Sequence, residues 1–572
     1  MAVEHCLGPV CFFHLDPAAP KIFGFAELLA GLALIVVAWT IADFRFKFRI
    51  ATAPIPVVRI SSIIVMSVSV LALLTDLWRA EAWLVPSGGP LTSASWQFLL
   101  AAAFLGAFLL WVWYAVVSPP AFGRLNAFRF TSRLYQVIYH GSEHELAIAA
   151  DELMRSIPGI VKHATNLKEE SDIRPFIRNG IVSVSETERS ANDLLSLIAY
   201  PRFCRVMLTQ SPGTIVNLFS HISLSGKFYV SAGTFGRNIL REGLAQKDSP
   251  FYQESDEYEV GLIGHIKPMT TAMFGSYDVV LGQSHMLEQQ WEDRAEWTHV
   301  ELRGYCNVVL FTLEDFLRRE DVEQSTLIAA AVSYIEESLK DEFASHNIGS
   351  IHESSAANNL RAVVNFCQKS VRLMSQSAAV SKLPFYTKHR GQHYQFVLFD
   401  YWAELIYQAI IRTNSLKSGS WDSRNLQLLI WDQVFTNAAF RSRPGRSILK
   451  RLRRKMYQSV KDLQRLPLYP GARVISFCLI VMNGSDDEGY YGREGKALYR
   501  VVKGWMRRHY ARLHITNSLI AAECLPAPYA YDPASSTIHS GPANKNSPLH
   551  GEFMKVVPAG GINKDLKTNL KI

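Results

Sequence analysis

A short glycine-containing segment is one place where residue types and spacing could support chemistry. Ser231–Arg237 reads Ser-Ala-Gly-Thr-Phe-Gly-Arg and opens a predicted helix. Glycines let backbone amides approach a phosphate, and a helix N-terminus favours its negative charge. An ordinary turn and helix cap is the simpler interpretation, because such turns commonly precede helices. The candidate phosphate-binding residues are Gly233, Gly236, Arg237 and Arg241.

Two acidic stretches are weak candidates for binding a divalent metal. One is the turn Asp486, Asp487 and Glu488, which follows an apolar run ending at Met482. Carboxylates at the end of a buried strand often serve metal-assisted phosphate chemistry. The other stretch combines carboxylates with an imidazole: Glu254, Asp256, Glu257, Glu259 and His265. Exposed loops are the simpler interpretation of both, so the sequence identifies no metal site.

The strongest constellation is basic. Residues 441–465 contain ten Lys or Arg against one acid, Asp462, and their apolar residues fall on one helical face. Such a helix can hold cations against an anionic membrane surface, at about 1 kcal/mol per cation. Nucleic acid is a less favoured partner, and a helix that packs its apolar face and solvates its charges is the plain alternative. The candidate anionic surface comprises Arg446, Lys450, Arg451, Arg453, Arg454 and Lys455.

Signatures of the common enzyme classes are missing from the sequence. It contains no GxxxxGK[ST] phosphate loop, no GxSxG nucleophile elbow, no HExxH zinc helix and no EF-hand loop. Many active sites have no local signature, so whether the chain is an enzyme stays open. The sequence indicates no particular cofactor.

The elements that position these residues begin with three apolar segments, about 22–42, 57–78 and 96–117. Each has the 17 to 25 residues or so that a helix needs to span a bilayer. The third carries no charge in 22 residues, which is rare in a soluble protein. We therefore predict a three-helix membrane anchor, preceded by a short external tail over 1–21.

The orientation follows from the basic residues in the short flanking loops. Arg45, Lys47 and Arg49 lie between the first two segments, and three arginines soon follow the third. The opposite side offers only Lys21 and Arg79. This bias predicts an N-terminus outside and a C-terminal domain in the cytoplasm of a multi-pass protein of the plasma membrane.

The remainder is predicted to be a mainly helical cytoplasmic domain over 118–525. Helical periodicity is clearest over about 323–344, 355–377, 393–414, 423–440 and 446–465. Tyr200–Leu281 is rich in Gly, Ser, Thr and β-branched residues, which predicts a small mixed α/β region. Arg473–Met482 is a second candidate strand, although a buried helix fits nearly as well. The polar, aperiodic stretch 526–572 is expected to be disordered.

Cysteine usage agrees with this topology. Cys6 and Cys11 lie in the predicted external tail, where a disulfide can persist. The other five are isolated, as expected for small buried hydrophobes: Cys204, Cys306, Cys367, Cys478 and Cys524.

These patterns favour a membrane-anchored module that senses, binds or scaffolds a ligand the sequence does not name. Its predicted partners are the lipid bilayer and anionic headgroups, with a protein partner or a second copy as further options. A membrane-bound enzyme or effector acting on a nucleotide or other phosphorylated ligand is the first alternative. It would require Arg237, Arg241 and Asp487 to meet in one pocket. A transporter or channel component is the second alternative.

Overall fold

The computed structural model shows a mainly helical protein. It separates into two compact units, Met1–Glu242 and Gly243–Ile572, and each is described by itself. The described residues are 5–7, 10–14, 21–87, 92–166, 185–254, 267–283, 285–289, 297–339, 355–383, 397–413, 420–466, 468–482, 488–540 and 552–558.

Among the described residues, three apolar helices and one short basic helix form the first part of the N-terminal unit. They are α1 (Phe25–Ile41), α2 (Phe44–Ala51), α3 (Val57–Ala80) and α4 (Ser93–Val112), the last continued by a π-helix over Trp113–Val117. Two helices, Val57–Ala80 and Ser93–Val117, are long and apolar enough to cross a membrane. The pair α1 and α2 is bent by 107° and gives a third span if it counts as one. The second and third predicted segments are thus found as helices, within three residues of their expected ends.

A small sheet lies at one end of these helices. Its strands are β1 (His5–Leu7), β2 (Val10–His14) and β3 (Leu84–Ser87), in antiparallel order β1-β2-β3. Since β3 follows α3, the N-terminal strands lie at the end of the bundle where α3 passes to α4. Leu28, Val68, Ala72 and Leu100 form a buried core near this end.

Polar side chains close the start of α1 at the same end. Gln97 Oε1 accepts a hydrogen bond from the backbone amide of Ile22 at 2.8 Å. Asp76 Oδ2 accepts one from the amide of Phe25 at 3.0 Å and pairs with Lys21 at 3.0 Å. These contacts satisfy donors that a helix N-terminus leaves without a partner inside the helix.

The opposite end of the bundle is joined to the rest of the unit through α2, which sequence patterns did not predict. Arg49 on α2 is buried and binds Glu152 through two hydrogen bonds, at 2.8 Å from Nε and 2.6 Å from a terminal nitrogen. Its other terminal nitrogen donates to the carbonyl oxygen of Ala115 in the π-helix at 2.9 Å. Arg45 pairs with Asp151 at 2.7 Å. We call Arg45, Arg49, Asp151, Glu152 and Ala115 the junction.

Seven helices complete the N-terminal unit among the described residues, the last of them running into the second unit. Two begin with a capping box, Ser142 with Glu145 and Ser185 with Glu188. Their bounds are α5 Ala127–His140, α6 Glu143–Met154, α7 Ile157–His163, α8 Glu186–Leu197, α9 Pro201–Gln210, α10 Pro212–Ser225 and α11 Gly233–Ala245.

The C-terminal unit is built from α-helices, with a π-helix over Trp431–Phe435 and a 3-10 helix over Ala438–Arg441. Its α-helices in the described residues are α12 Pro250–Gln253, α13 Pro268–Phe274, α14 Tyr277–Gly282, α15 His299–Phe316, α16 Thr326–Ser338, α17 Ser355–Gln376, α18 Ala378–Lys382, α19 Leu398–Thr413, α20 Ser420–Ile430, α21 Arg443–Asp462, α22 Tyr469–Met482, α23 Glu488–Thr516 and α24 Ser518–Cys524.

Two predictions of strands are corrected. The described residues of Tyr200–Leu281 form helices and turns rather than a mixed α/β region, and Arg473–Met482 lies within helix α22. The β-branched residues that suggested strands, such as Ile215 and Val279, are buried in helices. Tertiary packing overrides weak local propensity, and a short apolar run does not distinguish a strand from a buried helix.

The prediction of disorder over 526–572 is also corrected in part. Strands β4 (Tyr529–Asp532), β5 (Thr537–Ser540) and β6 (Glu552–Lys555) form an antiparallel sheet. Its buried residues include Ile538 and Met554, and the amide of Val557 donates to the carbonyl of Arg507 in α23 at 2.8 Å. Each strand has four residues, too few to show a period, so only packing on α23 reveals them.

Candidate anion-binding groove

One cavity of the C-terminal unit lies between the long helices α15 and α17. A capping box of Thr298 and Glu301 fixes the start of α15. Residues of α15 that recur every three or four positions face the cavity, and so do residues near the end of α17. That spacing follows the 3.6-residue helical period. From the two helices the cavity is lined by Gly304, Asn307, Val308, Leu310, Phe311, Glu314, Lys369, Arg372 and Leu373.

Four further residues close the cavity at one side: Phe251, Glu254, Lys267 and Thr270. Glu254 is buried, and its carboxylate accepts hydrogen bonds from the backbone amides of Met269 and Thr270 at 3.0 and 2.8 Å. It also accepts one from the Thr270 hydroxyl at 2.7 Å. Glu254 therefore caps α13 and is not the solvated loop acid that its acidic neighbourhood suggested. The other residues of that stretch, including Asp256 and His265, lie outside the described residues.

The cavity has a volume of about 360 Å³, at the lower end of the range that ligand pockets occupy. Three cations line it, Lys267, Lys369 and Arg372, against two carboxylates, Glu254 and Glu314. Glu254 is already engaged by three donors. We call the cavity and its thirteen lining residues the cationic groove.

The remaining lining gives the cationic groove an apolar side. The Lys267 ammonium lies 5.0 Å from the ring centroid of Phe311, a cation–π arrangement. Val308 and Leu373 add aliphatic surface, and the side-chain amide of Asn307 is a polar donor and acceptor. These groups can recognise a small anion that also carries an apolar group.

The ionisable side chains of the lining are the two carboxylates and the three cations already named. The lining has no histidine and no cysteine, and the described part of the chain has no cluster of three His, Cys, Asp or Glu side chains that could hold a metal ion. The five cysteines predicted to be buried are buried. Burial raises the pKa of each thiol, to about 12 for Cys478, so none supplies a thiolate at neutral pH.

Of the candidate phosphate-binding residues, Gly233, Gly236 and Arg237 lie at the start of α11, and Arg241 lies further along the same helix. The backbone amide of Gly236 donates to the carbonyl of Ala232 at 2.9 Å, so the helix itself uses it. Arg241 lies 3.5 Å from Glu242, which Arg205 binds at 2.8 Å. Gly233 is buried and Arg237 is half-buried. The helix thus uses the amide of Gly236, and the phosphate-binding prediction stays a prediction.

Most of the predicted acidic turn lies outside the described residues. Asp486 and Asp487 lie outside the described residues, and Glu488 is known only as the first residue of α23. The enzyme alternative, which required Asp487 to meet Arg237 and Arg241, therefore stays a prediction.

The basic helix is α21, and its cations divide into two groups. Arg446, Lys450 and Arg454 are exposed. Arg451 lies 3.1 Å from Asp400 and over the ring of Phe399. The six residues predicted as one anionic-ligand surface therefore do not all face outward, and the prediction itself stays untested.

Lys455 belongs to the inward group. It pairs with Glu404 on α19, and its ammonium lies 4.7 Å from the ring centroid of Tyr407. Burial lowers the pKa of Lys455, while the nearby carboxylates of Glu336 and Asp400 act in the opposite direction. This cation supports helix packing rather than an open surface.

Sequence reasoning missed the cationic groove. Lys267 and Lys369 are about a hundred positions apart and belong to no motif. The one local signal is the face of α15, where polar Asn307 and Glu314 interrupt an otherwise apolar stripe. No family model, no curated protein and no solved structure matches this chain.

Proposed function

We propose that this chain is a membrane-anchored binding module whose cationic groove takes a small anionic ligand with an apolar part. The observation that carries the proposal is the groove itself, in which three cations converge beside an aromatic ring. Charge-assisted hydrogen bonds from Lys and Arg suit carboxylates and phosphates. The aromatic and aliphatic lining suits an attached apolar group.

The anchor in this proposal has three spans. The N-terminal strands pair with β3, next to the start of α4, whereas α2 contacts the π-helix at the end of α4. Helix α1 therefore has to run the length of the bundle, as α3 and α4 do. Its 17 residues extend about 26 Å, close to the roughly 30 Å of a hydrocarbon core. The excess of Lys and Arg beside α2 and α5 supports a cytoplasmic location for helices α5 to α11 and for the C-terminal unit.

A thermal-shift measurement on the full-length protein in detergent micelles tests the ligand proposal. The probes are inorganic phosphate, adenosine monophosphate, benzoate and benzamide, the last being a neutral analogue of benzoate. A ligand at a hundredfold excess over its Kd adds about 2.7 kcal/mol of stability. We expect at least one anion to stabilise the protein and benzamide to have no effect.

Variants connect the response to the cationic groove. Arg372→Ala removes an exposed cation of the groove, and Arg361→Ala removes an exposed cation from the same helix α17 outside it. The proposal requires that Arg372→Ala reduce the ligand-induced shift and that Arg361→Ala preserve it. Equal shifts in both variants, or equal shifts with benzoate and benzamide, would contradict the proposal.

A further inference from the structure

Helix α5 carries an exposed apolar stripe. Leu125, just before the helix, is 79% exposed, and Phe128, Tyr135 and Tyr139 are 68%, 51% and 47% exposed. Their spacing of three, seven and four residues places them on one face of the helix. Tyr135 and Tyr139 contact each other, with ring centroids 4.6 Å apart. Four large apolar side chains in one exposed row on a short helix indicate an interaction surface.

A second side of α5 holds the loop that joins α1 to α3. Asn126 Nδ2 donates to the carbonyl of Thr52 at 2.7 Å, and Arg129 donates to the carbonyl of Pro54. The guanidinium of Arg133 lies 5.9 Å from the ring centroid of Phe44. Phe44 follows the end of α1, and Pro54 precedes the start of α3. The middle of α5 is therefore held at the level where the apolar helices end.

The third side of α5 faces the core of the unit through Phe130, Leu134 and Ile138, which are fully buried. Successive residues turn by about 100° around a helix. The exposed stripe consequently points away from this core. Around the helix axis it lies about a quarter to a third of a turn from the side that contacts the loop. Helix α5 lies at the level where the spans end. If its core side faces away from the bilayer, its exposed stripe faces the bilayer.

The charges around α5 fit the same partner. Residues 118–142 contain Arg124, Arg129 and Arg133 and no Asp or Glu. Helix α2, on the same loop, turns by 107° from α1, as expected where a chain leaves a span and runs along the surface. Interfacial helices combine basic residues with an apolar face, and tyrosines favour the boundary between lipid and water.

We propose that the stripe Leu125, Phe128, Tyr135 and Tyr139 lies in the headgroup region of the bilayer that the apolar helices cross. Helix α5 is then an interfacial helix that fixes the N-terminal unit against the membrane. The inference is independent of any ligand in the cationic groove. It also assigns the main lipid contact beyond the spans to α5, where the sequence had suggested α21.

Site-directed fluorescence on the full-length protein in lipid vesicles tests this proposal. A bimane label is attached to Phe128→Cys and, separately, to Tyr135→Cys, in a chain with Cys6 and Cys11 changed to Ser. The five other native cysteines are buried. The membrane reference is Leu105→Cys, because Leu105 is exposed on α4. The aqueous reference is Glu320→Cys, because Glu320 is an exposed acidic residue.

Two quenchers distinguish the outcomes: a nitroxide on the lipid chain near the headgroup, and iodide in the water. We expect both stripe labels to lose emission to the nitroxide lipid, as Leu105→Cys does, and to respond several-fold less to iodide than Glu320→Cys. Iodide quenching equal to that of Glu320→Cys overturns the proposal. Protection from both quenchers also overturns it, because a protein surface such as a second copy would then cover the stripe.

Discussion

The junction and the cationic groove both bring arginine or lysine together with carboxylates, but in different proportions. At the junction, Arg49 donates two hydrogen bonds to the Glu152 carboxylate, and its remaining nitrogen donates to the backbone carbonyl of Ala115. In the groove, three cations face a cavity with two carboxylates, one of them engaged in capping a helix. The junction is closed and matched, whereas the groove is open and carries an excess of positive charge.

The difference separates charges matched one to one in a buried pair from charges gathered around an open cavity. A buried ion pair with all its hydrogen bonds made contributes to the uniqueness of the fold and leaves no capacity for a partner. Excess cations around a cavity create a positive potential that an anion can neutralise. An abundance of basic residues is therefore not sufficient evidence for a binding surface, as the inward cations of α21 also show.

The largest expected effect is at the junction. Glu152→Ala leaves Arg49 buried without its carboxylate, which should lower the free energy of unfolding by about 3 to 5 kcal/mol. Asp151→Ala removes a half-exposed carboxylate from the same helix and should cost about 1 kcal/mol or less. Thermal unfolding of the full-length protein in micelles measures both. Equal losses for the two variants would mean that the junction is not a matched buried pair.

The next effect is expected on α21. Asp400→Ala removes the carboxylate beside Arg451, whose side chain is only 10% exposed, and should cost about 3 kcal/mol. Arg454→Ala, at an exposed position of the same helix, should change stability by about 0.5 kcal/mol or less. The same unfolding measurement applies. If Arg454→Ala is the more damaging change, the division of α21 into inward and outward cations is wrong.

A binding effect is expected in the cationic groove. Lys369→Glu replaces a groove cation by an anion, and loss of one charge-assisted hydrogen bond of about 1.5 to 3 kcal/mol weakens binding about tenfold to a hundredfold. The apparent Kd is obtained by titrating whichever anion of the panel stabilises the protein. Arg361→Glu changes charge equally, outside the groove, and should leave the Kd within about a factor of two. Equal weakening by both would indicate only a general effect of net charge.

The smallest expected effect is a pH dependence of stability near Lys227 and His163. Lys227 donates to the carbonyls of Lys162 and Ala164 at 2.6 and 2.9 Å, near His163. Burial, followed by the charges of Arg124, Lys162 and Lys227, lowers the pKa of His163. The unfolded chain then binds a proton more readily than the folded one. Stability should fall slightly as the pH drops below about 6.5.

His163→Gln provides the control for that pH effect. Unfolding curves at pH 7 and pH 5 should show a smaller acid-induced loss in the variant than in the original protein. An unchanged difference would show that His163 does not respond to the surrounding cations.

Much of the secondary structure could be predicted from the sequence, because long segments carry their own period. The helices Val57–Ala80 and Ser355–Gln376 agree closely with prediction, and the capping box at Ser185 marks a helix start. The C-terminal strands could not be predicted, since each has four residues and depends on α23 for burial. Helix α2 was hidden because residues 44–50 alternate apolar and basic side chains, a period typical of a strand rather than a helix.

The candidate site could not be predicted for a related reason. Lys267 immediately precedes α13, whereas Lys369 and Arg372 belong to α17. These segments are distant in sequence, and only the packing of α15 between them brings their cations to one cavity. On α21 the sequence showed correctly where the basic residues are. It did not show that Arg451 and Lys455 face Asp400 and Glu404 on α19, because that depends on how two helices pack.

Native mass spectrometry of the full-length protein, released from micelles, tests the central claim most directly. We compare the unchanged protein, Lys369→Glu and Arg361→Glu, each after equilibration with benzoate and with adenosine monophosphate. The account predicts an anion adduct on the unchanged protein and on Arg361→Glu, and its loss from Lys369→Glu. An adduct that Lys369→Glu retains in full would place anion binding elsewhere and contradict a function based on the cationic groove.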